Sequence, residues 1–411
     1  MPRSQVENKI SITEFRQILI SSQLLGNAAR HGIAEVVEQA GPIRTLGGVD
    51  VYLALRARTP DLKREQLDLA VEERVVQVIP AARGCIYLVA KRDIPCALRF
   101  AAQLRASRDQ REFQKAGIQK GELERLGELI VRTLLEQGRL STTQLRRQLP
   151  EGCFRSLGDT GKKLGLSSTL PPALRLIEFE GRIERFLKGQ RLDSEVYLWG
   201  PTDPDTVNQP TNYSEPDGRN RRMAEIYFRA AGLGTQKMFA GWSGLNQRDS
   251  KAVIEKLDLQ TFHLEGEDEP FLGFEGIEPA SASPVSFLPF EDNLIALQAG
   301  PQRLVDPRYH DVPVPVWGRT RQATLGQARH STLRSIVAAN QIAGFWEFDP
   351  EKRQVETFCF ADLTARHQHE VKHTAEGLRD FINEELEHGR SFSLDTDKAL
   401  SERVQFIRSL Q

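Results

Sequence analysis

Residues 12–25, ITEFRQILISSQLL, place apolar side chains at three- and four-residue intervals, the spacing that gives one helix a buried stripe. After the glycines at 47 and 48, DVYLALRAR continues that spacing, with Tyr52 or Leu53, Leu55 and Ala57 facing inward, and a polar helix follows over 63–73. VVQVIPAA and RGCIYLVA are then two β-branched runs with almost nothing between them, which predicts a hairpin. Helices followed by a hairpin give the element order of a winged helix.

The order returns between 121 and 200. GELERLGELIVRTLLEQG is a long amphipathic helix closed by Gly138, and LSTTQLRRQLP opens on a capping serine or threonine and stops at Pro150. SSTLPPALRLIEFEG carries prolines in its first turn, where a missing N–H costs little. RIERFLKGQRLDSEVYLW then alternates apolar and polar positions around a KGQ turn. Residues 201–218 are rich in Pro, Asp and Asn and read as a linker or surface loop. A third copy follows in NRRMAEIYFRAAG, GTQKMFAGWSGL and NQRDSKAVIEKLDL, with LQTFHLEG and PFLGF as its wing. Beyond 284 the pattern changes to strands with tight turns, and two charged amphipathic helices are expected over 363–388 and 397–410.

The expected fold class is therefore α+β: three tandem winged helix-turn-helix modules with a small C-terminal β-barrel. The modules span 1–118, 119–200 and 201–283, the last including the linker, and the barrel with its helices spans 284–411. At 411 residues, with 39% hydrophobic and 27% charged side chains, the chain is long enough for several cores and too apolar for disorder.

The net charge of -1 hides a split. Residues 1–200 hold 32 basic and 24 acidic side chains, a surplus of +8, and the remainder holds 23 and 32, or -9. The first half is suited to a polyanion. Its middle module carries Arg146, Arg147, Arg155, Lys162, Lys163, Arg175, Arg182, Arg185 and Lys188, which could neutralise phosphates of double-stranded DNA. A solvated face is the alternative, because Glu178, Glu180 and Glu184 are interleaved. Cys85, Cys96, Cys153 and Cys359 are too scattered for a zinc ribbon and too few for a disulfide scaffold, which fits reduced thiols in a cytoplasmic protein. No secretory leader and no window near the roughly 18 apolar residues of a membrane span is evident, so a soluble protein without membrane association is expected.

The blocks RGCIYLV, GRIERFLKGQRLDSEVYLW, FAGWSGLNQRDSKAVIEKL and IAGFWEFDPEKRQVETF, with SFSLD near the end, resemble the AlkZ-like winged-helix family from about residue 20 to about residue 400. The resemblance implies three winged-helix modules in a C shape with a small barrel. It also implies the activity of the characterised members, monofunctional DNA glycosylases that excise alkylated bases and interstrand crosslinks. Those enzymes carry a Gln-hydrophobic-Gln or Gln-hydrophobic-Asp motif in the first module. An N-alkylated purine is already a good leaving group, so a carboxylate or amide pair need only stabilise the sugar cation and position water, with no metal or organic cofactor.

Gly48-Val49-Asp50 is the nearest match, which leaves Asp50 as the candidate catalytic residue and glycine where the family has glutamine. Asp50 could instead be a helix N-cap. Gln39 could supply an amide, although nothing in the spacing places it alongside. A non-catalytic DNA binder, recognising lesions or regulating transcription, is the second expectation.

Other patterns carry less. His369, Glu370 and His373 satisfy H-E-x-x-H, with His367 nearby, but the helix around them is charged, which favours solvated histidines over a zinc hydrolase. GDTGKK at 158–163 lacks the spacing of a phosphate loop and reads as wing or loop charges. Trp199, Trp242, Trp317 and Trp346 are expected in cores rather than as base-stacking platforms. Asp292-Asn293 is a polar pair in an apolar run, either a turn facing a cleft or a strand bulge.

Overall fold

The computed structural model describes residues 8–26, 31–119, 121–194, 196–203, 213, 215–279, 285–318 and 321–411, so most of the expected linker, residues 204–212 and 214, lies outside the described residues. The chain is a mixed α/β protein of helices and several small sheets.

One element order occurs three times: helix, short extended segment, further helices, hairpin. In the first, helix Ile33–Ala40 leads to Ile43–Arg44, helices Asp50–Arg56 and Arg64–Glu72, and strands Val76–Pro80 and Ile86–Ala90. In the second, helix Glu122–Gln137 precedes helices Thr142–Gln148, Gly158–Lys163 and Leu170–Phe179 and strands Ile183–Leu187 and Tyr197–Pro201. In the third, helices Pro216–Ala231, Gln236–Ser243 and Gln247–Ile254 precede strands Gln260–Leu264 and Phe271–Gly273. Each time the short segment pairs with the second hairpin strand: Ile43 with Leu88, Leu140 with Trp199, Gly234 with Leu272.

Local chemistry explains these elements. In the Glu122–Gln137 helix, Leu123, Leu126, Ile130 and Leu134 form one stripe, and Gly138 ends it at a positive φ that costs glycine little. Ser141 closes a capping box with Gln144 at the start of Thr142–Gln148. Pro at the first turn of Leu170–Phe179 removes no helical hydrogen bond. GDTGKK is a short helix rather than a loop or wing. The Asp50–Arg56 helix buries every residue from Val51 to Leu55, so it is enclosed on all sides rather than amphipathic.

Two further features differ from the pattern reading. A 22-residue helix, Ile94–Lys115, follows the first hairpin. The C-terminal strands also form an open sheet among the described residues, not a closed barrel: Gln354–Cys359, Gln341–Asp349, Arg334–Ala338 and Ser286–Leu288, all antiparallel. Closure is unnecessary because both faces are covered. Helices Ala365–Phe381 and Asp397–Arg408 pack against the sheet. Phe345 faces a core shared with Phe15, Tyr227 and Phe239, while Trp346 and Phe348 face one shared with Tyr52 and Leu53. Strand alternation thus joins the C-terminal sheet to two cores, whereas the second repeat keeps a separate one.

Among the described residues no helix is long and apolar enough to cross a membrane, and the four cysteines are free thiols.

Candidate functional site

Asp50 begins its helix but does not cap it. Val49 occupies the capping position, and no side chain caps there. The Asp50 carboxylate, 12% exposed, instead accepts a 2.8 Å hydrogen bond from Nη2 of Arg334, a residue 284 positions away with no exposed surface. Arg334 also donates to the Gly389 carbonyl, to Ser391 Oγ and, at 2.7 Å, to Glu347. Glu347 is in turn bound by Arg403, which pairs with Asp395.

This chain holds three carboxylates and two guanidinium groups, so one acid is in surplus. Asp50 is the outermost. Burial is the largest influence on it and Glu347 adds repulsion; together they outweigh Arg334 and Arg403 and push its carboxyl up to about 6 from 3.8. It can therefore exchange a proton near neutral pH, as a general base must.

The packing around Gly48 leaves no room for the glutamine that the family resemblance led us to expect at this position. Its φ is +70°, and a Cβ there would lie 2.4 Å from the Arg390 carbonyl oxygen and 2.6 Å from the Phe392 nitrogen. The turn-containing segment from Arg390 is fixed in place, since Val49 N–H donates to the Arg390 carbonyl at 2.8 Å and Ser393 N–H to the Leu46 carbonyl. No side chain fits at position 48 unless that segment moves. Gln39 lies half-buried on helix Ile33–Ala40 and does not line the pocket that holds Asp50.

That pocket is bounded by Arg44, Ala54, Arg58 and residues 289–293. It shares Arg44, Glu291 and Asn293 with a larger cleft of about 140 Å³ that Arg83, Tyr87, Trp242, Arg329 and His330 complete. Glu291, at a φ of +54°, pairs with Arg44 and with His330 Nδ1 at 2.9 Å. Burial, then the arginines at 44, 83 and 329, lower the His330 pKa.

Asp292-Asn293 is not a strand bulge: it follows the turn at 290–291, opens a short helix and lines the pocket, Asn293 lining the adjoining cleft as well. Asp292 caps the short helix Asn293–Ala296 and makes a two-point pair with fully buried Arg58, 2.9 Å at each contact. Asn293 Nδ2 donates to the carbonyls of Ala40 and Pro42. The pair fixes the pocket wall to the first repeat. Sequence reading missed Arg334, Glu347, Arg403 and Glu291; the available signal was charge inside apolar strands, as in RSIVA and FWEFD.

The basic residues of the second repeat divide into two groups. Arg175 pairs with Asp109 at 3.2 Å, Arg182 with Glu128 at 2.8 Å, and Arg185 with buried Glu178 at 2.7 Å. Arg155 pairs with Glu122 at 2.9 Å, and Lys162 lies 3.5 Å from Asp159. Arg146, Arg147, Lys163 and Lys188 are exposed, with no ion pair among the described residues.

Trp346 and Trp242 are core residues as expected, and Trp199 is half-buried. Trp317 departs from that expectation, being 55% exposed. His369 and His373 are exposed and Glu370 is bound to Arg366 at 2.8 Å, so the H-E-x-x-H spacing gathers no third ligand among the described residues.

A family model described as DNA glycosylase AlkZ-like matches residues 36–381. Among solved structures, the DNA glycosylase AlkZ of Streptomyces sahachiroi superposes with a TM-score of 0.68 at 14% identity, over 90% of this chain and 97% of that one. At that identity the likeness shows the fold. No curated protein sequence matches the chain.

Proposed function

Because the chain belongs to the AlkZ-like DNA glycosylase family, we propose that it hydrolyses the N-glycosidic bond of an alkylated purine in double-stranded DNA, with Asp50 at the sugar. The observation that carries this reading is the surplus carboxylate: Asp50 is the outermost of three acids sharing two arginines and lines a small pocket that adjoins the arginine-lined cleft. Alkylation at N7 makes the base cationic. The C1′–N9 bond breaks with its electron pair leaving on the purine, and positive charge develops on the sugar. Ionised Asp50 stabilises that charge and accepts the proton of the water that adds to C1′. Arg334 holds the carboxylate in place from behind.

We read the three repeats as winged-helix modules at 1–118, 119–200 and 201–283, supported by the recurring pairing of the short segment with the second hairpin strand. Arg146, Arg147, Lys163 and Lys188 are the phosphate contacts this reading favours, because their charges are not already matched by carboxylates. A cytoplasmic location suits the free thiols.

A second reading, DNA binding without catalysis, is favoured by Gly48, where the packing leaves no room for the family glutamine. Duplex DNA carrying N7-methylguanine separates the two. Release of the base by wild-type protein and its loss in Asp50→Asn, with DNA affinity retained, supports the glycosylase. Tight binding with no abasic sites formed by wild-type protein supports the binder.

A further inference from the structure

Five large apolar side chains are strongly exposed among the described residues, and one of them, Trp317 at 55%, packs with rings beside the Asp50 pocket. Trp317 stands edge-on to Phe392, with ring centroids 4.8 Å apart, and lies 6.2 Å from Phe290, which is 6.5 Å from Phe392. The three rings come from three separate segments, and each is tied to the site. Phe290 lines the Asp50 pocket itself. The backbone N–H of Trp317 donates to the carbonyl of His330, a wall of the arginine cleft. Phe392 follows Ser391, which binds Arg334, and its backbone packs on Gly48.

Exposed aromatic surface gains free energy when apolar surface covers it, most when a planar ring stacks on it, and its neighbours restrict what that cover can be. Arg44, Arg83 and Arg329 line the adjoining cleft, with Glu291 as the one carboxylate among the lining residues. Glu291 is already held by Arg44 and His330, which leaves excess positive charge. A ligand that offers a planar ring beside a phosphate meets both surfaces; a purely apolar partner would leave the arginines unmatched.

We propose that Trp317, braced by Phe392 and Phe290, offers a stacking face to an unpaired purine of DNA, whose adjacent phosphate enters the cleft of Arg44, Arg83 and Arg329. This rests on the nucleic-acid reading above but not on catalysis. It would hold a base that has left the helical stack beside Asp50, which gives the stacking face a part in selecting the target nucleotide.

The test compares affinity for a short duplex containing one unpaired 2-aminopurine with affinity for the fully paired duplex of the same sequence, at one salt concentration. Wild-type protein is expected to favour the unpaired base by about tenfold and to quench its fluorescence. Trp317→Ala should remove both the preference and the quenching while leaving affinity for the paired duplex unchanged, and Trp317→Phe should restore part of the preference. A wild type that does not distinguish the duplexes overturns the proposal, as does a Trp317→Ala variant that still does. Neither readout needs base release, so absence of excision would count against the glycosylase and not against the stacking face.

Discussion

The arginines around Asp50 and those of the second repeat belong to the same residue type and do opposite things. Arg334 is fully buried and serves Asp50, Glu347 and two oxygen atoms of the 389–391 segment. Its charge is used up inside the protein and joins the first repeat to the C-terminal sheet. Arg146 and Arg147 project from a helix whose core is separate, and their charge is offered to solvent. A count of basic residues does not distinguish the two; only the distribution of carboxylates does. Near Asp50 burial, reinforced by repulsion from Glu347, outweighs the attraction of the two arginines and creates a titratable group.

The contrast can be broken most severely at Arg334. Replacing it with Met leaves Glu347 and Asp50 facing one another without their shared cation, and should cost about 3–5 kcal/mol in urea unfolding. The exposed pair Arg182–Glu128 should cost less than about 1 kcal/mol when Arg182 is replaced by Ala. Similar losses at both positions would remove the distinction. Next in size is Gly48→Gln, which introduces the glutamine that the family resemblance implies. It should destabilise by about 2–4 kcal/mol and not raise activity, because the new Cβ meets the Arg390 backbone at a positive φ.

Asp50 gives a smaller, pH-dependent effect. Its folded-state pKa, about 6, lies above its ordinary value of 3.8, so the folded chain holds the proton more tightly. Its contribution is fully present below about pH 4 and is lost as pH rises through about 6, amounting to about 2–3 kcal/mol. Unfolding free energies measured from pH 4 to 7 should therefore fall less in Asp50→Asn than in wild type. Last, Arg146→Ala with Arg147→Ala should leave stability unchanged, weaken binding to all duplex sequences alike and reduce the salt slope of log affinity by about 1 per lost phosphate contact.

Local pattern revealed much of this architecture because its signals are local. The Leu123 to Leu134 stripe, the Ser141 cap and the β-branched hairpin at 76–90 each depend on neighbours within a few residues. The Ile94–Lys115 helix was hidden for the same reason: its buried apolar residues end at Ala101 and its second half is polar, so no stripe runs its length. The site was less legible. Asp50 stood out, but its partner is 284 residues away, and Asp292 finds Arg58 at a separation of 234. Only the fold brings such pairs together. The steric reason for Gly48 likewise lies in a segment more than 300 residues downstream.

The central claim is that ionised Asp50 performs the chemistry, and the most direct test is the single-turnover rate of N7-methylguanine release as a function of pH. For wild-type protein the rate should rise through a midpoint near pH 6 to a plateau, and Asp50→Asn should release base far more slowly with no such rise. Equal rates in the two proteins, or the same pH profile in both, would contradict the claim.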